Sequence, residues 1–361
     1  HYLLASADKD GLVCIWRSGE EHCEKQESQR AASSFVARSS NAAAPRPTLL
    51  RGHRKWVTSL AWEPVFEEDD GGGGGDDDDG GGGPKVSERV ASASKDGTVR
   101  IWRAAGGICE RVLGGHTAAV TAVLWGASGA LYSASQDRTI KVWDASSGAM
   151  VRSLDGHGHW VNTMALDNGL ALRAPQVAAS GRFAIADGAG SVRRRHKRSR
   201  LSASAAGVDE SVLIGADEVL VSGSDDFTLH LWRPLRESKP VARMVGHQQL
   251  VNCVAFSANG EHIASASFDK SVRLWNAHTG AFLHTFRAHV GAVYGVAFSP
   301  DSRLLLSASR DATLKLWHVR GRKLKADLPG HSDEIYAIDW APDGSHAASA
   351  GKDKLIKFWH H

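Results

Sequence analysis

The sequence predicts an all-β fold built from a repeated unit of four antiparallel strands, and three recurring residue types support this prediction. Tryptophans that close a run of alternating apolar residues recur at intervals of 41 to 43 residues, with two longer intervals of 86 and 89 residues. An aspartate lies six residues before each tryptophan, and a serine lies four residues before each aspartate. A fixed period of this length indicates one supersecondary unit repeated along the chain. The seven tryptophans are Trp16, Trp102, Trp143, Trp232, Trp275, Trp317 and Trp359.

Each repeat contains four predicted strands, which we label a to d along the chain. A Gly-His or Ala-His pair precedes strand a in every repeat but the first, strand b ends near the serine, and strand c ends at the tryptophan. Apolar and polar residues alternate in strand c, as in residues 139–143 and 271–275. Turn residues such as Lys95-Asp96-Gly97 separate the strands. Four strands per period of about 40 to 45 residues, closed by a tryptophan, are typical of WD40 β-propeller blades.

The first and last repeats are each one strand short. Repeat one begins at strand b and repeat seven ends at strand c, so the sequence lacks strand a of the first repeat and strand d of the last. Propellers protect their edges by letting one terminus complete the blade that the other begins. We therefore expect residues 1–361 to form one propeller domain, and the intact protein to carry more sequence before His1.

Three insertions interrupt the period, at about residues 18–47, 63–88 and 167–218. The first joins strands c and d and the others join strands a and b, so all three should leave one face, opposite the Gly-His loops. The second insertion is acidic and glycine-rich, which predicts disorder. The third contains a basic run that predicts a localisation signal or an RNA phosphate contact, with a merely solvated loop as the alternative. Its cations are Arg193, Arg194, Arg195, Lys197, Arg198 and Arg200.

The composition favours a soluble, intracellular protein. Hydrophobic residues make up 42% of the chain, enough for a sizeable core, and a formal net charge of +3 excludes a polycation that binds nucleic acid along its whole length. Four cysteines without CxxC spacing form no disulfide framework, which favours a reducing compartment. We expect no membrane association, because the sequence has no apolar run of about 18 residues and no signal peptide.

The repeated serine, histidine and aspartate resemble a hydrolase triad, but their presence in blade after blade favours a structural role. A buried turn aspartate needs hydrogen-bond donors, and the serine, the histidine and the indole N–H can supply them. We therefore predict structural tetrads and no catalytic residues. The tetrads are His116, Ser133, Asp137 and Trp143; His247, Ser265, Asp269 and Trp275; His289, Ser307, Asp311 and Trp317; and His331, Ser349, Asp353 and Trp359.

No motif of an enzyme class or a metal site accompanies the repeats. The sequence has no GxxxxGK[ST] loop, GxSxG elbow, HExxH motif or Cys/His cluster at zinc spacing. The segment His157-Gly158-His159 offers two metal ligands, but His157 already belongs to the repeated set. We expect no catalysis, no cofactor, no metal and no small-molecule substrate.

The loops beside the turn aspartates form one edge of the propeller, which we call the rim. Residues flanking the aspartates include seven cations and a single acid, Asp225. Trp56 and Trp160 occupy equivalent loop positions, which we align with Ala119, Leu250, Ala292 and Ile335 of other repeats. Exposed aromatic residues beside cations commonly anchor partners, and packing between blades is the alternative. We predict that the partner-binding residues are Trp56, Lys95, Arg138, Trp160, Phe268, Lys270, Arg310, Lys352 and Lys354.

Four segments resemble the Notchless family of WD40-repeat proteins. They are residues 55–64 (KWVTSLAWEP), 131–143 (LYSASQDRTIKVW), 156–166 (GHGHWVNTMAL) and 221–232 (VSGSDDFTLHLW), the last following a long insertion at the same place as in the family. The resemblance covers nearly the whole chain outside the insertions. Single WD40 blades are weakly specific, whereas this ordered set is far more so.

The resemblance implies a factor in assembly of the large ribosomal subunit. Family members have an eight-bladed propeller that docks on nuclear pre-60S particles, contacting rRNA and ribosomal proteins, and an N-terminal ubiquitin-like domain that binds the AAA+ ATPase Midasin. This implies a nuclear and nucleolar location. The chain departs from the family pattern because it lacks the N-terminal domain, the first blade and strand a of the second, so no residue here is assigned to Midasin binding.

The alternative interpretation is a peptide-binding adaptor, such as a ubiquitin-ligase substrate receptor or a scaffold of Notch signalling. Ligase receptors resemble one another in a Trp-Asp-x-Arg box after strand c. Only Trp143 of the seven tryptophans is followed by Asp, and Ser146 stands where Arg is expected. The adaptor interpretation is therefore less favoured.

Overall fold

The computed structural model describes residues 3–17, 47–64, 89–167 and 218–360, which form seven antiparallel sheets of 26 strands. Each sheet is called a blade. Blades 1 to 3 contain β1 (Leu3–Ala7), β2 (Leu12–Arg17), β3 (Thr48–Arg51); β4 (Val57–Trp62), β5 (Arg89–Ser94), β6 (Thr98–Arg103), β7 (Ile108–Gly114); and β8 (Val120–Trp125), β9 (Ala130–Ser135), β10 (Thr139–Asp144), β11 (Met150–Asp155).

Blades 4 to 7 continue the same meander. They contain β12 (Val161–Leu166), β13 (Leu220–Ser224), β14 (Leu229–Trp232), β15 (Ala242–Met244); β16 (Val251–Phe256), β17 (His262–Ser267), β18 (Ser271–Asn276), β19 (Phe282–Arg287); β20 (Val293–Phe298), β21 (Leu304–Ser309), β22 (Thr313–His318), β23 (Lys323–Pro329); and β24 (Ile335–Trp340), β25 (His346–Gly351), β26 (Ile356–His360).

The predicted fold class is confirmed, including the strand missing from the first and last repeats. Blades 2 to 6 have four strands in the order a-b-c-d, blade 1 has strands b, c and d, and blade 7 has strands a, b and c. Strand a of each blade from 2 to 6 contacts strand a of the next, which is the arrangement of blades around a propeller axis. Within the described ranges no helix is long and apolar enough to cross a membrane.

A bulge near the start of each strand a connects neighbouring blades. In all six of these strands, one residue has no pairing partner in strand b and lies outside the regular sheet. The Oγ1 atoms of Thr58 and Thr121 donate to carbonyls of the next strand a, over 2.7 and 2.6 Å. The Nδ2 atoms of Asn162 and Asn252 do the same over 3.1 and 2.6 Å. The bulges therefore link consecutive blades by hydrogen bonds.

The hydrophobic core lies between blades, where the strand c tryptophan of each blade from 2 to 7 packs on the preceding blade. Trp232 of blade 4 belongs to a buried cluster with Tyr132, Ile140 and Leu154 of blade 3. Trp143 of blade 3 is buried with Ile101 of blade 2 and its neighbours in the same way. Strand b contributes mainly alanine and serine to these contacts, and such small residues let the sheets approach closely.

A left-handed residue follows the turn aspartate in all seven blades. The φ angles of these residues lie between 63° and 83°. Only two are glycine, although L-residues disfavour this region by about 1–2 kcal/mol. At the other five positions the turn therefore imposes a positive φ angle that the residue disfavours. The side chains of these five residues project from the rim. The residues are Gly11, Gly97, Arg138, Phe227, Lys270, Ala312 and Lys354.

The three predicted insertions lie largely outside the described residues, which end at or near their flanks. These flanks are the C-terminal ends of β2, β4 and β12, which run in the same direction and so meet at the edge opposite the rim. Glu63 and Arg89 form an ion pair across the base of the second insertion, with Arg89 Nε donating over 2.8 Å. The strand ends on either side of residues 65–88 are thus held together.

Replacing two alanines of blade 6 by glycine should have opposite effects on stability, because only one of them has a left-handed backbone conformation. Ala312→Gly should raise the free energy of unfolding by up to about 1 kcal/mol, because relief of the φ strain exceeds the entropy cost of glycine. Ala308→Gly, inside β21, should lower it by a similar amount, since it removes a fully buried methyl group. Urea unfolding of both variants measures the difference. Destabilisation by Ala312→Gly would contradict the strain argument.

Candidate functional site

Six blades contain the same chain of hydrogen bonds among tryptophan, serine, histidine and aspartate. The tryptophan Nε1 donates to the serine Oγ over 2.8–2.9 Å, and the serine Oγ lies 2.7–2.8 Å from the histidine Nε2. The histidine Nδ1 lies 2.7–3.0 Å from the aspartate Oδ2. Besides the four predicted tetrads, the sets are His53, Ser92, Asp96 and Trp102, and His157, Ser222, Asp226 and Trp232.

The aspartate accepts enough hydrogen bonds to stay ionised although it is partly buried. In blade 2 the Oδ2 of Asp96 accepts from His53 and from the backbone N–H of Arg54, and its Oδ1 accepts from the hydroxyl and backbone N–H of Thr98. Burial by itself raises the pKa of Asp96, but these hydrogen bonds outweigh it and hold the pKa below its ordinary value. Burial also lowers the pKa of His53, which favours a neutral ring that donates from Nδ1.

The tetrads hold the two loops of the rim together and leave no nucleophile free. Each histidine belongs to the loop before strand a and each aspartate to the turn between strands b and c, so their hydrogen bond fixes one loop on the other. The serine hydroxyls are almost completely buried, and each accepts the indole N–H. A nucleophile must reach substrate, so this geometry suits packing rather than hydrolysis.

Blade 1 departs from the pattern. Trp16 still donates to Ser6 over 3.1 Å, but the loop that would carry a histidine is absent from this blade. Asp8, and not the aspartate aligned by spacing, caps the turn: its Oδ1 accepts the backbone N–H groups of Asp10 and Leu12. The exposed carboxylate of Asp10 has no hydrogen-bond partner among the described residues. Spacing alone therefore misplaces the capping aspartate of the first repeat.

Backbone hydrogen bonds define equivalent rim positions in blades 2 to 7 and correct one alignment. The residue before each turn aspartate donates its N–H to the carbonyl of a loop residue three positions after the histidine. In blade 7 Lys352 donates to Glu334, so Glu334 and not Ile335 is the counterpart of Trp56. Ile335 is instead fully buried in strand a. The pairs are Lys95 with Trp56, Gln136 with Ala119, Asp225 with Trp160, Phe268 with Leu250, Arg310 with Ala292, and Lys352 with Glu334.

Trp56 lies on the rim between cations of two blades. Its side chain is 45% exposed. The Nζ atoms of Lys95 and Lys9 lie over its ring, 3.9 and 4.9 Å from the centroid. Lys9 belongs to the turn of blade 1 and Lys95 to the turn of blade 2, so this cluster spans two blades. Cation–π attraction holds both ammonium groups beside an exposed aromatic surface.

Trp160 has different surroundings. It is 44% exposed, and its ring lies beside that of His159 with centroids 5.3 Å apart. The nearby Asp225 accepts Asn162 Nδ2 over 2.6 Å and lies 3.5 Å from His159 Nδ1. Because His157 is bonded in its tetrad and His159 faces Asp225, the two histidines do not form a metal site. Among the described residues no three His, Cys, Asp or Glu side chains are placed to hold a metal ion.

The rim of blades 5 to 7 is less basic than the sequence indicates. Glu334 lies 3.2 Å from Arg310, and Asp333 lies 3.7 Å from Lys352. Both acids come from the loop before β24, which the count of residues flanking the turn aspartates omits. The prediction of seven cations against one acid is therefore wrong for this part of the rim, where two of the cations are paired.

Three aromatic rings line the same part of the rim. Phe268 packs edge-on against Tyr294 at 5.5 Å, and Tyr294 lies 5.4 Å from Tyr336. Both tyrosine hydroxyls donate to Oε2 of Glu334, over 3.2 and 3.0 Å. The hydroxyl of Tyr336 and then that of Tyr294 are the hydrogen bonds that lower the pKa of Glu334, so its carboxylate remains charged.

Arg138, Lys270 and Lys354 project from the left-handed turn positions of blades 3, 5 and 7. All three are exposed, and none forms an ion pair within the described part of the chain. They remain available cations of the rim. The basic run, residues 193–200, falls outside the described residues.

Sequence analysis missed two buried residues of blade 4. Glu218, at the boundary of the third predicted insertion, accepts the N–H of Ser128 over 2.7 Å and the hydroxyl of Tyr132 over 2.5 Å, which joins blade 4 to blade 3. His230 stacks on the tetrad histidine His157 with ring centroids 4.1 Å apart. The corresponding residues of blades 2, 3, 5, 6 and 7 are Arg or Lys, so His230 appeared in the sequence as an ordinary polar residue of an alternating strand.

Comparison with known proteins identifies the repeats and their order. The WD domain, G-beta repeat family matches residues 84–103, 107–144, 238–276, 280–318 and 322–360. Ribosome assembly protein 4 of Saccharomyces cerevisiae is 44% identical over 204 residues, covering 56% of this chain and 38% of that protein. The Notchless protein homolog of Arabidopsis thaliana is 46% identical over 204 residues, covering 56% and 40%, respectively. Protein Notchless of Drosophila melanogaster is 47% identical over 215 residues, covering 58% and 38%.

The chain is thus similar to ribosome assembly protein 4 and to Notchless proteins over more than half of its length. The alignments with these three relatives span 38 to 40% of their lengths, so they concern only part of each relative. By contrast, Nuclear distribution protein PAC1 of Arthroderma benhamiae matches over only 83 residues, or 21% of this chain, at 37% identity. The similarity to this protein thus covers a shorter part of the chain than the similarity to the three relatives above.

The tetrads of this propeller predict a large cost for loss of the turn aspartate. Asp137→Ala and Asp269→Ala should each lower the free energy of unfolding by about 3 kcal/mol or more, because buried donors lose their acceptor. Asp10→Ala should change it by less than about 0.5 kcal/mol, since this exposed carboxylate accepts no hydrogen bond. Thermal and urea unfolding test the contrast. Equal effects of the three substitutions would contradict the role assigned to the tetrads.

The buried His230 should make the stability of blade 4 sensitive to acid. Neither ring nitrogen has a hydrogen-bond partner among the described residues, and burial first, then the charge of His157, lowers the pKa of His230 to about 4. The unfolded chain, with an ordinary histidine pKa near 6.5, binds a proton before the folded chain does. Protonation of His230 therefore favours the unfolded chain, and the folded state loses stability as the pH falls from 6.5 toward 4.

Replacement of His230 by phenylalanine tests this pH dependence. His230→Phe keeps a planar ring against His157 and should stabilise the protein at neutral pH by about 1 kcal/mol, because two unpaired nitrogens are removed. Between pH 6.5 and 4 the stability of the variant should fall less steeply than that of the parent. Unfolding curves measured across this range report both effects. Parallel pH profiles would show that His230 does not titrate as proposed.

Proposed function

We propose that this chain is the propeller of a non-catalytic docking factor in biogenesis of the large ribosomal subunit. Its rim binds pre-60S particles through rRNA and ribosomal proteins. The observation that carries the proposal is the combination of similarity to Notchless proteins with a rigid rim that displays unpaired cations and exposed aromatic residues. The relatives named ribosome assembly proteins support the process, and the geometry of the rim supports a surface for binding.

The rim has the properties that docking on a ribonucleoprotein requires. Phosphates dominate attraction to RNA, and unpaired lysine and arginine side chains meet them at little desolvation cost. Arg138, Lys270 and Lys354 are exposed cations of this kind, and Trp56 adds an aromatic surface beside Lys9 and Lys95. Because the tetrads fix each loop to its neighbour, these side chains lose little backbone entropy on binding.

The proposal includes two further points: the propeller does not catalyse a reaction, and the protein is linked to Midasin. Burial of every tetrad serine and its use as an acceptor for an indole support a structural role for the repeated Ser-His-Asp sets. Coupling to the AAA+ ATPase Midasin, and a nuclear and nucleolar location, follow from the family resemblance. No described residue is assigned to Midasin.

Gradient fractionation tests the docking function directly. A tagged version of the protein is expressed in cells, nuclear extract is separated on a sucrose gradient, and the co-migrating RNA and proteins are identified. We expect co-migration with precursors of large-subunit rRNA and with Midasin. Migration in a small complex with ubiquitin-ligase subunits and no rRNA would overturn the proposal in favour of an adaptor.

Charge reversal on the two edges of the propeller provides a matched comparison. The double variant Arg138→Glu, Lys270→Glu should shift the protein from the pre-60S fractions to the top of the gradient, because rim cations are replaced by acids. Arg303→Glu should leave the distribution unchanged, since Arg303 is highly exposed but precedes β21 at the opposite edge. An equal shift by both variants would remove the rim from the proposal.

A further inference from the structure

We infer that the cluster of Lys9, Trp56 and Lys95 is a contact for single-stranded RNA, and that Arg310, Lys352 and the aromatic rings around Glu334, in blades 5 to 7, are not. This inference rests on the proposed docking function and assigns the RNA contact to one arc of the rim, in blades 1 and 2. Both groups of residues contain cations beside aromatic rings. They differ in whether these groups are free to meet a ligand.

The fold brings the three residues of the cluster together from two blades. The backbone N–H of Val57 donates to the carbonyl of Asp8 over 3.2 Å, which fixes the turn of blade 1 against the loop of blade 2. Lys95 N–H donates to the carbonyl of Trp56 over 2.9 Å. Cation–π contacts then keep the two ammonium groups over one ring. The positions of the charges are therefore set before any ligand arrives.

The charges of this cluster are not neutralised by neighbouring acids. Neither Lys9 nor Lys95 forms an ion pair within the described ranges, and Arg54 and Lys55 add two exposed cations in the same loop. The carboxylate of Asp96 is engaged by His53 and Thr98, and that of Asp8 caps its own turn. Only the exposed Asp10 remains as an unengaged acid of the adjoining turn. Cations exceed acids here, which favours an anionic ligand.

The groups around Glu334 in blades 5 to 7 are already engaged with one another. Glu334 pairs with Arg310, and Asp333 pairs with Lys352. The rings of Phe268, Tyr294 and Tyr336 pack on one another, and both tyrosine hydroxyls bind Glu334. An RNA phosphate there would have to displace a carboxylate and would be repelled by it.

Single-stranded RNA fits the cluster better than an acidic peptide does. A single strand presents phosphates together with unpaired flat bases, and binding sites for it combine cations with aromatic side chains. Lysine ammonium groups meet phosphate oxygens as point charges. The exposed Trp56 ring beside them can stack on an unpaired base, which an acidic peptide lacks.

Fluorescence anisotropy with a labelled single-stranded RNA oligonucleotide tests the assignment. The titration is carried out on the full chain with the basic run, residues 193–200, replaced by glycine and serine, so that this run does not contribute. Trp56→Leu should weaken binding by about fivefold or more, the loss expected for one stacked base. Lys95→Gln and Lys9→Gln should each reduce the slope of log affinity against log salt by about 0.7.

Lys352→Gln is the matched control, because it removes one rim lysine that is already paired with Asp333. We expect its RNA affinity and salt slope to equal those of the parent. Thermal melts identical to that of the parent would show that Lys95→Gln and Lys352→Gln are folded, so the comparison does not depend on the tryptophan variant. A loss for Lys352→Gln as large as that for Lys95→Gln would overturn the assignment to one arc.

Two further outcomes would also overturn the inference. Unchanged RNA affinity in both Lys95→Gln and Trp56→Leu would show that the cluster does not bind RNA. Polyglutamate that binds as tightly as RNA, and loses affinity in the same variants, would identify an acidic protein as the ligand. Neither result decides the docking function, which the gradient measures: a propeller that still co-migrates with pre-60S rRNA would dock through other residues.

Discussion

The hydrogen bond between the tetrad histidine and the turn aspartate is the constraint on which the rest of the propeller depends. It ties the loop before strand a to the turn after strand b, and through the serine it reaches the tryptophan that packs on the preceding blade. In each blade with a complete tetrad, the packing of the tryptophan, the conformation of the two loops and the geometry of the rim therefore depend on one another. Because hydrogen bonds hold the pKa of Asp96 below its ordinary value of 3.8, its share of this coupling is present above that pH and is lost as the pH falls further.

Much of this fold could be predicted from the sequence because its determinants recur. The tryptophan, aspartate and serine spacings locate strands b and c directly, and the four predicted tetrads consist of residues that the structure joins by hydrogen bonds. The rim was harder to predict because its contacts join loops of different blades. The pairs of Arg310 with Glu334 and of Lys9 with Trp56 are not periodic. Glu334 was misaligned by one residue, since only the backbone bond from Lys352 fixes the register there.

Two buried residues show where a periodic pattern conceals differences between blades. His230 occupies a strand position that carries Arg or Lys in five other blades, yet it stacks on a tetrad histidine and leaves both ring nitrogens unpaired. Glu218 lies beside a long insertion, where sequence alone gives no reason to expect burial, and it binds Ser128 and Tyr132 of the preceding blade. Each depends on a neighbour that is distant in the sequence.

The tetrads also divide the propeller into an edge where loop length is fixed and an edge where it is free. A histidine loop that must reach its aspartate cannot grow without breaking that bond, whereas loops at the opposite edge are not tied to each other through the tetrad. Closing a longer loop is cheap, about 0.6 kcal/mol for each doubling of its length. The segments 18–46, 65–88 and 168–217 all join strands at the free edge. The chain can therefore acquire new sequence there by evolution while the geometry of its rim is preserved.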